Sequence, residues 1–391
     1  MLRQPEATTR MTAAPVPTAH SPSAPASHLD RLGTVVLRDT WYLLGNAKSV
    51  KRGALAKRML DQTPIVLWRD RSGAIKAMED RCAHRRAPLS AGKIVDGCVQ
   101  CPYHGWRYDA DGTCVKMPSL GPTAPPRPGV QVPTYPVHLR YGLVWLWWGD
   151  AGTADPDLIP DIPFLHPDRP APSVTRRLFD YATCSELVVE NLLDLTHLDF
   201  VHGSMLGDPL GGDEDITADY TDEVVTMTRI SEGRRPPRAQ AALMGFPKSQ
   251  DLYQTMKVYV RSGVTIGVGW QTPPGWANAI VMPNTPVSPR VTRQDGQVLV
   301  NIDAPKIFDL VAPLLTRIIT AQDNRILGLQ KSRYEGVETR PDKSVPADVA
   351  ALRYRSVRHA LVQRQRAGDF SYSAGWQGPD AAEVMRVTRP T

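Results

Sequence analysis

The feature that most constrains this chain is a pair of short motifs that combine cysteine with histidine. Cys82-Ala83-His84 is followed, after 16 intervening residues, by Cys101-Pro102-Tyr103-His104. Each motif offers one thiolate and one imidazole, both of which are metal ligands. The chain has only 5 cysteines and 9 histidines, so two such spacings so close together are improbable by chance. The pair therefore predicts a metal centre that draws ligands from both motifs.

Two kinds of centre use ligands of this type. A [2Fe–2S] cluster of the Rieske arrangement is bound by two cysteines on one iron and two histidines on the other, which raises its potential. The two motifs would supply that set, and Trp106 would shield the cluster. The alternative is one zinc ion, because Cys98 forms a Cys-x2-Cys pair with Cys101. We favour the cluster, in which Cys98, Cys114 and Cys184 have no ligand role.

Composition and charge indicate which classes of partner and which cellular compartment to expect. The formal net charge is +6, but the basic residues are dispersed, so we expect no nucleic-acid partner. The apolar stretches are far shorter than the ~20 residues of a membrane span, so we expect no membrane partner. An odd number of cysteines in a chain this large favours a reducing compartment, and we predict a cytoplasmic protein.

The pattern along the chain divides it into a tail and two domains. Residues 1–34, rich in Ala, Pro, Ser and Thr, are predicted to be a disordered tail. Residues 35–150 carry short apolar runs between polar turns, which predicts an all-β domain. Residues 151–391 mix strands with long helices, which predicts an α+β domain that begins with a Pro-rich linker, Ala151–Pro172. The runs used below are strands at Val35–Leu37, Leu143–Trp148 and Val258–Trp270, and helices at Ser185–His202, Ile307–Tyr334 and Ala347–Gln365.

A second group of candidate ligands lies in the α+β part. Asn191, Asp194, His197 and His202 follow one another at spacings of three, three and five. Histidines five apart lie about 140° apart on an ideal helix, so they share a metal only if the helix breaks or tightens between them. Two histidines and one carboxylate form the facial triad of non-haem Fe(II) oxygenases. Asp323, on the inward face of a predicted helix, is the candidate carboxylate, because an unpaired buried acid is costly.

The nearby polar residues have alternative roles. Asp194 lies one helical turn before His197 and can accept a hydrogen bond from a ligand imidazole. Asn191 is a second candidate for a residue that contacts a ligand and not the metal itself. Asp199 is too close in sequence to the histidines to complete a facial geometry. The competing interpretation of Asp323 is a surface acid paired with Arg317 or Arg325.

Together these residues resemble the oxygenase (α) component of the Rieske non-haem iron oxygenases. Cys82-x-His84 and Cys101-x2-His104 match the family's cluster motif, Asn191-x2-Asp194-x2-His197-x4-His202 matches its iron motif, and Asp323 stands where the family has its carboxylate. Glu190-Asn-Leu-Leu-Asp-Leu-Thr-His and Gln322-Asp-Asn-Arg-Ile-Leu-Gly resemble the vanillate O-demethylase and dicamba demethylase branch.

The resemblance implies an N-terminal all-β Rieske domain and an α+β catalytic domain with a curved, helix-grip-like antiparallel sheet. It implies a [2Fe–2S] cluster, a mononuclear Fe(II) held by His197, His202 and Asp323, and O₂ and NAD(P)H-derived electrons as co-substrates. A reductase, with or without a ferredoxin, would deliver the electrons. It also implies a homotrimer in which Asp194 bridges one subunit's cluster to the next subunit's iron.

The implied reaction is hydroxylation or oxidative demethylation of a small aromatic or heterocyclic substrate. The same site could perform ring cis-dihydroxylation, amine N-oxygenation or oxidative cyclisation. A function of another class is a Rieske electron carrier without oxygenase activity. Leu193, Phe200, Met205 and the run Val258–Trp270 are candidates for the pocket, and the segment Val281–Ser288 has no substrate-facing histidine of the kind some relatives carry there.

Overall fold

The computed structural model describes residues 35–166, 177–203, 214–236, 247, 249–272, 275–301, 307–334 and 342–372. The predicted disordered tail and the pocket candidate Met205 lie outside these ranges. An all-β N-terminal part and an α+β second part, as predicted, account for the described residues. No helix among them is both long enough and apolar enough to cross a membrane.

The N-terminal part consists of short antiparallel strands in three small sheets, with strand orders β1-β11-β10, β2-β3-β4-β9 and β5-β6-β7-β8. The strands are β1 Thr40–Asn46, β2 Ala56–Leu60, β3 Thr63–Arg69, β4 Ile75–Glu79, β5 Lys93–Val95, β6 Cys98–Gln100, β7 Arg107–Tyr108, β8 Cys114–Lys116, β9 Thr134–Tyr135, β10 Val137–Arg140 and β11 Leu143–Trp148.

The second part is one antiparallel sheet with helices, in the strand order β12-β19-β17-β16-β15-β14-β13 and with β18 paired to β19. The strands are β12 Arg177–Tyr181, β13 Glu214–Tyr220, β14 Val224–Arg234, β15 Gln250–Tyr259, β16 Val264–Thr272, β17 Trp276–Pro283, β18 Thr285–Ser288 and β19 Val291–Asn301. The helices are α1 Ser185–Leu193, α2 Leu198–Val201, α3 Ile307–Tyr334 and α4 Val349–Arg366.

The strand β11 joins the two parts because alternate side chains point to opposite faces. Trp145 and Trp147 enter a core that contains Val264 and Val281 of the large sheet. Val144 and Leu146 enter the core of the N-terminal part. This two-sided burial explains the unbroken apolar run Leu-Val-Trp-Leu-Trp-Trp, which correctly predicted this strand.

The opposite face of the large sheet packs against helices. Met227 of β14, Met256 and Val258 of β15 share a core with Leu193 of α1 and Tyr354 of α4. We call this the helix-facing side of the sheet, and it is the side on which the iron motif lies.

Three predicted elements outside the iron motif differ from the structure. The run Val258–Trp270 is not one strand, because β15 ends at Tyr259 and a turn containing Gly263 with φ of +68° leads into β16. Val35–Leu37 is not a strand, because its carbonyls bond instead to Arg358 and Gln365 of α4. In the predicted linker, residues 151–165 form 3₁₀ turns whose Ile159, Ile162 and Phe164 are buried in the shared core.

Candidate metal centres

Two tight loops carry the Cys-His motifs. The first follows β4, where the Cys82 amide donates to the Ala87 carbonyl (2.9 Å) and the Arg86 amide donates to the Cys82 carbonyl (2.8 Å). The second joins β6 to β7, where the Cys101 amide donates to the Trp106 carbonyl (2.8 Å). Gly105, with φ of +71°, allows that chain reversal. The second loop is therefore the connection of a hairpin, because β6 and β7 pair with each other.

Within the loops, ligands of like type lie together. The Nδ1 atoms of His84 and His104 are 3.1 Å apart on an exposed surface. Cys82 and Cys101 are both buried. Burial and the adjacent Cys82 thiol raise the pKa of Cys101. This separation of two thiols from two imidazoles fits a cluster in which one iron takes both cysteines and the other takes both histidines.

The zinc alternative fits poorly. A tetrahedral ion would bring three or four of these donor atoms within about 4 Å of one another. Among the described residues, the one group of three or more donor atoms that lie within 4.8 Å of one another is elsewhere in the chain. Cys98 instead faces the Asp96 carbonyl, with its Sγ 3.9 Å from that oxygen.

Two aromatic side chains complete the cluster loops. Trp106 stacks on His84 with ring centroids 4.6 Å apart and planes inclined by 5°. The Tyr108 hydroxyl lies 3.1 Å from the Cys82 sulfur and accepts from the Ala83 amide at 3.2 Å. Sequence reasoning anticipated Trp106 but missed Tyr108, whose contact depends on strand β7 bringing it beneath the first loop.

The second group of candidate ligands converges as predicted. Nε2 of His202 lies 3.0 Å and Nε2 of His197 lies 3.5 Å from Oδ1 of Asp323. Their ligand atoms all lie within 4.8 Å of one another. The side chain of His202 is 0% exposed, that of Asp323 6% and that of His197 14%. The interpretation of Asp323 as a surface acid paired with Arg317 or Arg325 is therefore wrong.

The chain path explains the convergence. The predicted helix Ser185–His202 ends at Leu193, Asp194 adopts φ of −107° and ψ of 88°, and Leu195–His197 form a 3₁₀ turn before α2. The break therefore comes before His197, whereas the spacing of the histidines predicted a break or a tightening between them.

Outer contacts orient both imidazoles. Nδ1 of His202 lies 2.8 Å from Oε1 of Gln322, and Nδ1 of His197 contacts the main-chain carbonyl of Asp194. A donor at Nδ1 leaves Nε2 free to bind a metal. Gln322 was missed from sequence, although its position beside Asp323 was a usable indication.

Asp194 contacts the ligand imidazole through its main chain. The carboxylate of Asp194 accepts from the Thr196 amide (3.0 Å) and hydroxyl (2.5 Å), so the carbonyl and not the carboxylate contacts His197. Both Asn191 and Asp194 line a cavity of about 190 Å³ between α1, α3 and α4.

Charge at the site favours metal binding. Burial disfavours the ionised form of Asp323, but hydrogen bonds from His197 and His202 outweigh it and lower the pKa to about 2. Burial also disfavours the charged form of His202, but Asp323 and Gln322 raise its pKa. Two nitrogens and one ionised oxygen facing a common point are the donor set of the facial triad, so these residues fit a mononuclear iron.

The pocket candidates Leu193 and Phe200 differ in their exposure to solvent. Leu193 is part of the core, whereas the side chain of Phe200 is 71% exposed beside the iron motif. Asp199 is not a candidate ligand, because its carboxylate turns away from the histidines toward Arg229 and Arg234.

Two family models match the chain. Residues 40–136 match the Rieske [2Fe-2S] domain, and residues 181–364 match the vanillate O-demethylase oxygenase C-terminal domain. The cluster loops lie in the first match and the facial triad in the second.

Curated relatives are similar over part of their length. The iron-sulfur subunit of a putative toluene-4-sulfonate monooxygenase system from Comamonas testosteroni is 40% identical over 44% of this chain and 48% of its own. The oxygenase component of dicamba O-demethylase from Stenotrophomonas maltophilia is 39% identical over 42% of this chain and 48% of its own. The vanillate O-demethylase oxygenase subunit of a Pseudomonas species is 34% identical over 54% and 64%. The matched segment thus spans about half the length of the first two.

The fold is also found among solved structures. Dicamba monooxygenase bound to 3,6-dichlorosalicylic acid superposes with a TM-score of 0.74 at 23% identity, covering 88% of this chain and 100% of that one. The order of the two matched domains and the shared fold agree with the two ligand sets described above. The chain therefore belongs to the Rieske non-haem iron oxygenases, in the group whose C-terminal domain is of the vanillate O-demethylase type.

Proposed function

We propose that this chain is the oxygenase component of a system that uses O₂ to hydroxylate or oxidatively demethylate a small organic substrate. The observation that carries the proposal is the buried triad of His197, His202 and Asp323 in a chain that also holds the four cluster ligands. When bound there, Fe(II) keeps coordination positions open for O₂ and supplies the oxidising chemistry. An electron carrier would need no such triad.

The residues of the chain have three tasks at this centre. The Asp194 carbonyl and Gln322 hold the two imidazoles in one tautomer and orientation. Burial of His202 and Asp323 limits the access of water to the donor atoms. The charge of Asp323 compensates part of the charge of a divalent ion.

We propose that the substrate lies against the helix-facing side of the sheet. Met256 and Ile280 on that side pack with Leu195 of the iron motif. The next residues of the same side are Gln254 and Asn278, with Gly269 between them in register. A glycine flanked by two carboxamides leaves room for a flat ring and offers hydrogen bonds to its uncharged polar groups.

The names of the relatives favour substituted aromatic rings. They act on toluene-4-sulfonate, dicamba and vanillate by their descriptions. We therefore propose an aromatic or heterocyclic substrate of this size, without assigning any of the three to this chain.

We further propose that electrons pass between subunits of a homotrimer. Within the described part of one chain, no hydrogen bond or ion pair joins the cluster residues to the triad. The exposed His84 and His104 would meet the Asp194 region of a neighbour, with Asp194 as the bridge. A reductase, with or without a ferredoxin, would supply NAD(P)H-derived electrons, and the five free cysteines favour a cytoplasmic location.

The test uses purified protein with a surrogate reductase and NADH, supplied with vanillate, dicamba and toluene-4-sulfonate in turn. We expect substrate-dependent O₂ uptake and either formaldehyde or a product that has gained one oxygen. His197→Ala should keep the visible spectrum of the cluster and its reducibility but form no product. Equal product formation by His197→Ala would overturn the mononuclear-iron proposal.

The alternatives predict other outcomes of the same assay. A product that gains two oxygens and two hydrogens would indicate cis-dihydroxylation. Oxidised nitrogen or a new ring would indicate N-oxygenation or cyclisation. Reduction and re-oxidation of the cluster without any product from an extended substrate panel would favour the electron carrier.

A further inference from the structure

The segment that carries both histidine ligands is too short to fix their positions by itself. It consists of the 3₁₀ turn Leu195–His197 and of α2, which has four residues. Isolated helical turns of this length are unstable in water, because nucleation costs more than one turn recovers. The positions of His197 and His202 must therefore be set by what the segment packs against.

A buried acid on this segment points away from the metal. Asp199 lies between the two histidines, and its side chain is 0% exposed. It accepts a hydrogen bond from Nη2 of Arg229 at 2.8 Å and another from Arg234. Both arginines belong to β14, so Asp199 ties the ligand segment to the sheet.

One guanidinium holds the segment at two points. Nη1 of Arg229 donates to the Leu195 carbonyl at 2.6 Å, at the start of the 3₁₀ turn, while Nη2 donates to Asp199 in α2. Its Nε donates to Glu214 of β13 at 2.9 Å. The Arg229 side chain is fully buried. Because the guanidinium is planar and rigid, fixing it on Glu214 also fixes the distance between Leu195 and Asp199.

The charges of this group balance. Two arginines, Arg229 and Arg234, are paired with the two carboxylates of Asp199 and Glu214. Removing one member leaves an uncompensated buried charge. The segment would then shift to relieve it, and both ligand histidines would shift with it.

We propose that Arg229, with Asp199, Arg234 and Glu214, is a positioning group that holds the His197–His202 segment in the geometry needed to bind iron. This inference rests on the assignment of His197, His202 and Asp323 as metal ligands. The described hydrogen bonds of Arg229 go to the Leu195 carbonyl, Asp199 and Glu214 and not to a ligand imidazole, so the effect is transmitted through the backbone of the segment.

The experiment compares Arg229→Lys with Arg261→Lys. Lysine keeps the charge but has a single nitrogen, which cannot reach the Leu195 carbonyl, Asp199 and Glu214 together. Arg261 is a matched control, because it is also buried, lies in the turn between β15 and β16 of the same sheet, and makes a two-bond pair with Glu223 (2.5 and 3.0 Å) away from the triad. Chelator-treated protein that retains its cluster is titrated anaerobically with Fe(II) by calorimetry, and thermal unfolding is recorded in parallel.

We expect Arg229→Lys to bind Fe(II) about 10- to 100-fold more weakly than the unaltered chain. Arg261→Lys should lose comparable thermal stability but keep its Fe(II) affinity. Equal affinities in the unaltered chain and Arg229→Lys would overturn the positioning role. Loss of affinity in Arg261→Lys as well would assign the effect to general destabilisation and also overturn it.

Two further variants keep the test decisive if Arg229→Lys does not fold. Asp199→Asn preserves volume, and Glu214→Gln changes a side chain that reaches solvent with 11% exposure. Either one, folded, should show the same weakening, and unchanged affinity in a folded variant would contradict the proposal. If the unaltered chain binds no Fe(II) at all, the proposed function itself fails, which is a different result.

Discussion

Tyr108 is the side chain that most directly adjusts the cluster site. Its hydroxyl accepts from the Ala83 amide, which leaves its proton available for the Cys82 sulfur at 3.1 Å. A hydrogen bond to a cluster sulfur favours the reduced, more negative state and so raises the reduction potential.

We expect Tyr108→Phe to lower the potential of the cluster by about 20–60 mV, which corresponds to the loss of one hydrogen bond of ~0.5–1.5 kcal/mol. Spectroscopic redox titration measures this shift. Tyr135→Phe is the control, because Tyr135 stacks on Trp148 and contacts no cluster ligand. An unchanged potential in Tyr108→Phe would show that the hydroxyl does not donate to the sulfur in the holoprotein.

Gln322 orients a ligand of the proposed mononuclear iron site. Its Oε1 fixes Nδ1 of His202, so Gln322→Leu should free the ring and weaken Fe(II) binding by about 10- to 100-fold. Gln330→Leu, in which the exposed Gln330 lies two helical turns beyond Asp323 on the same helix, should bind Fe(II) normally. The measurement is anaerobic Fe(II) titration, and equal affinities for the two variants would contradict the role of Gln322.

Single residues could be predicted where their spacing in the sequence indicated a common metal. Cys82, His84, Cys101 and His104 stand in two rare motifs. Asp323 was predicted because it is an acid on the apolar face of a helix. Gln322, Arg229 and Tyr108 could not be found in this way, because a neutral or basic side chain becomes informative only when folding brings an acceptor or donor from a distant element beside it.

At the level of elements, the helix α3 was predicted with its observed bounds, Ile307–Tyr334, because a long amphipathic pattern is unambiguous. The region Ser185–His202 was predicted as one helix, and the structure divides it at Asp194. Residues on either side of the break have helical spacing. The place where the turn tightens depends on the local hydrogen bonds of Asp194 to Thr196 and on the tertiary contact of Arg229 with the Leu195 carbonyl. The run Val258–Trp270 was predicted as one strand, although it contains the turn between β15 and β16. The turn was missed because the pattern around the buried Arg261 does not differ from a strand that contains one polar residue.

The sheet makes a separate prediction about the pocket. A Cβ added at Gly269 would meet only the Asn278 side chain, at 3.5 Å, which is ordinary contact. Gly269→Ala should therefore fold normally and fill the space proposed for substrate. We expect KM to rise about tenfold or more, because a methyl group that occupies space needed by the substrate costs ~1–3 kcal/mol of binding.

Steady-state kinetics with the substrate identified in the O₂-uptake screen checks this prediction. Gly328→Ala on α3 is the control, because a Cβ there meets nothing within 4 Å. An unchanged KM in Gly269→Ala would place the substrate elsewhere.

At the scale of the whole molecule, the two domains share one core. Trp145 and Trp147 of β11 pack with the large sheet, so the orientation of the cluster domain relative to the catalytic domain is fixed by buried aromatic area. Sequence analysis predicted the two fold classes in order but not this packing, because the linker was expected to separate the domains. Its buried Ile159, Ile162 and Phe164 instead belong to the shared core.

If electrons pass between subunits, two inactive variants should complement each other. His104→Ala removes a cluster ligand, and Asp323→Ala removes an iron ligand. Co-expressed chains carrying one change each should recover part of the product formation that both homo-oligomers lack, because some neighbouring pairs join an intact cluster to an intact iron site. Absence of recovery in isolated mixed trimers would show that electron transfer stays within one chain.

The most direct test of the two-centre account is the metal content of purified protein, measured with acid-labile sulfide. The account predicts two sulfides and three irons per chain, and it predicts two sulfides and two irons, with an unchanged visible spectrum, in Asp323→Ala. Zinc without labile sulfide, or three irons retained in Asp323→Ala, would contradict it.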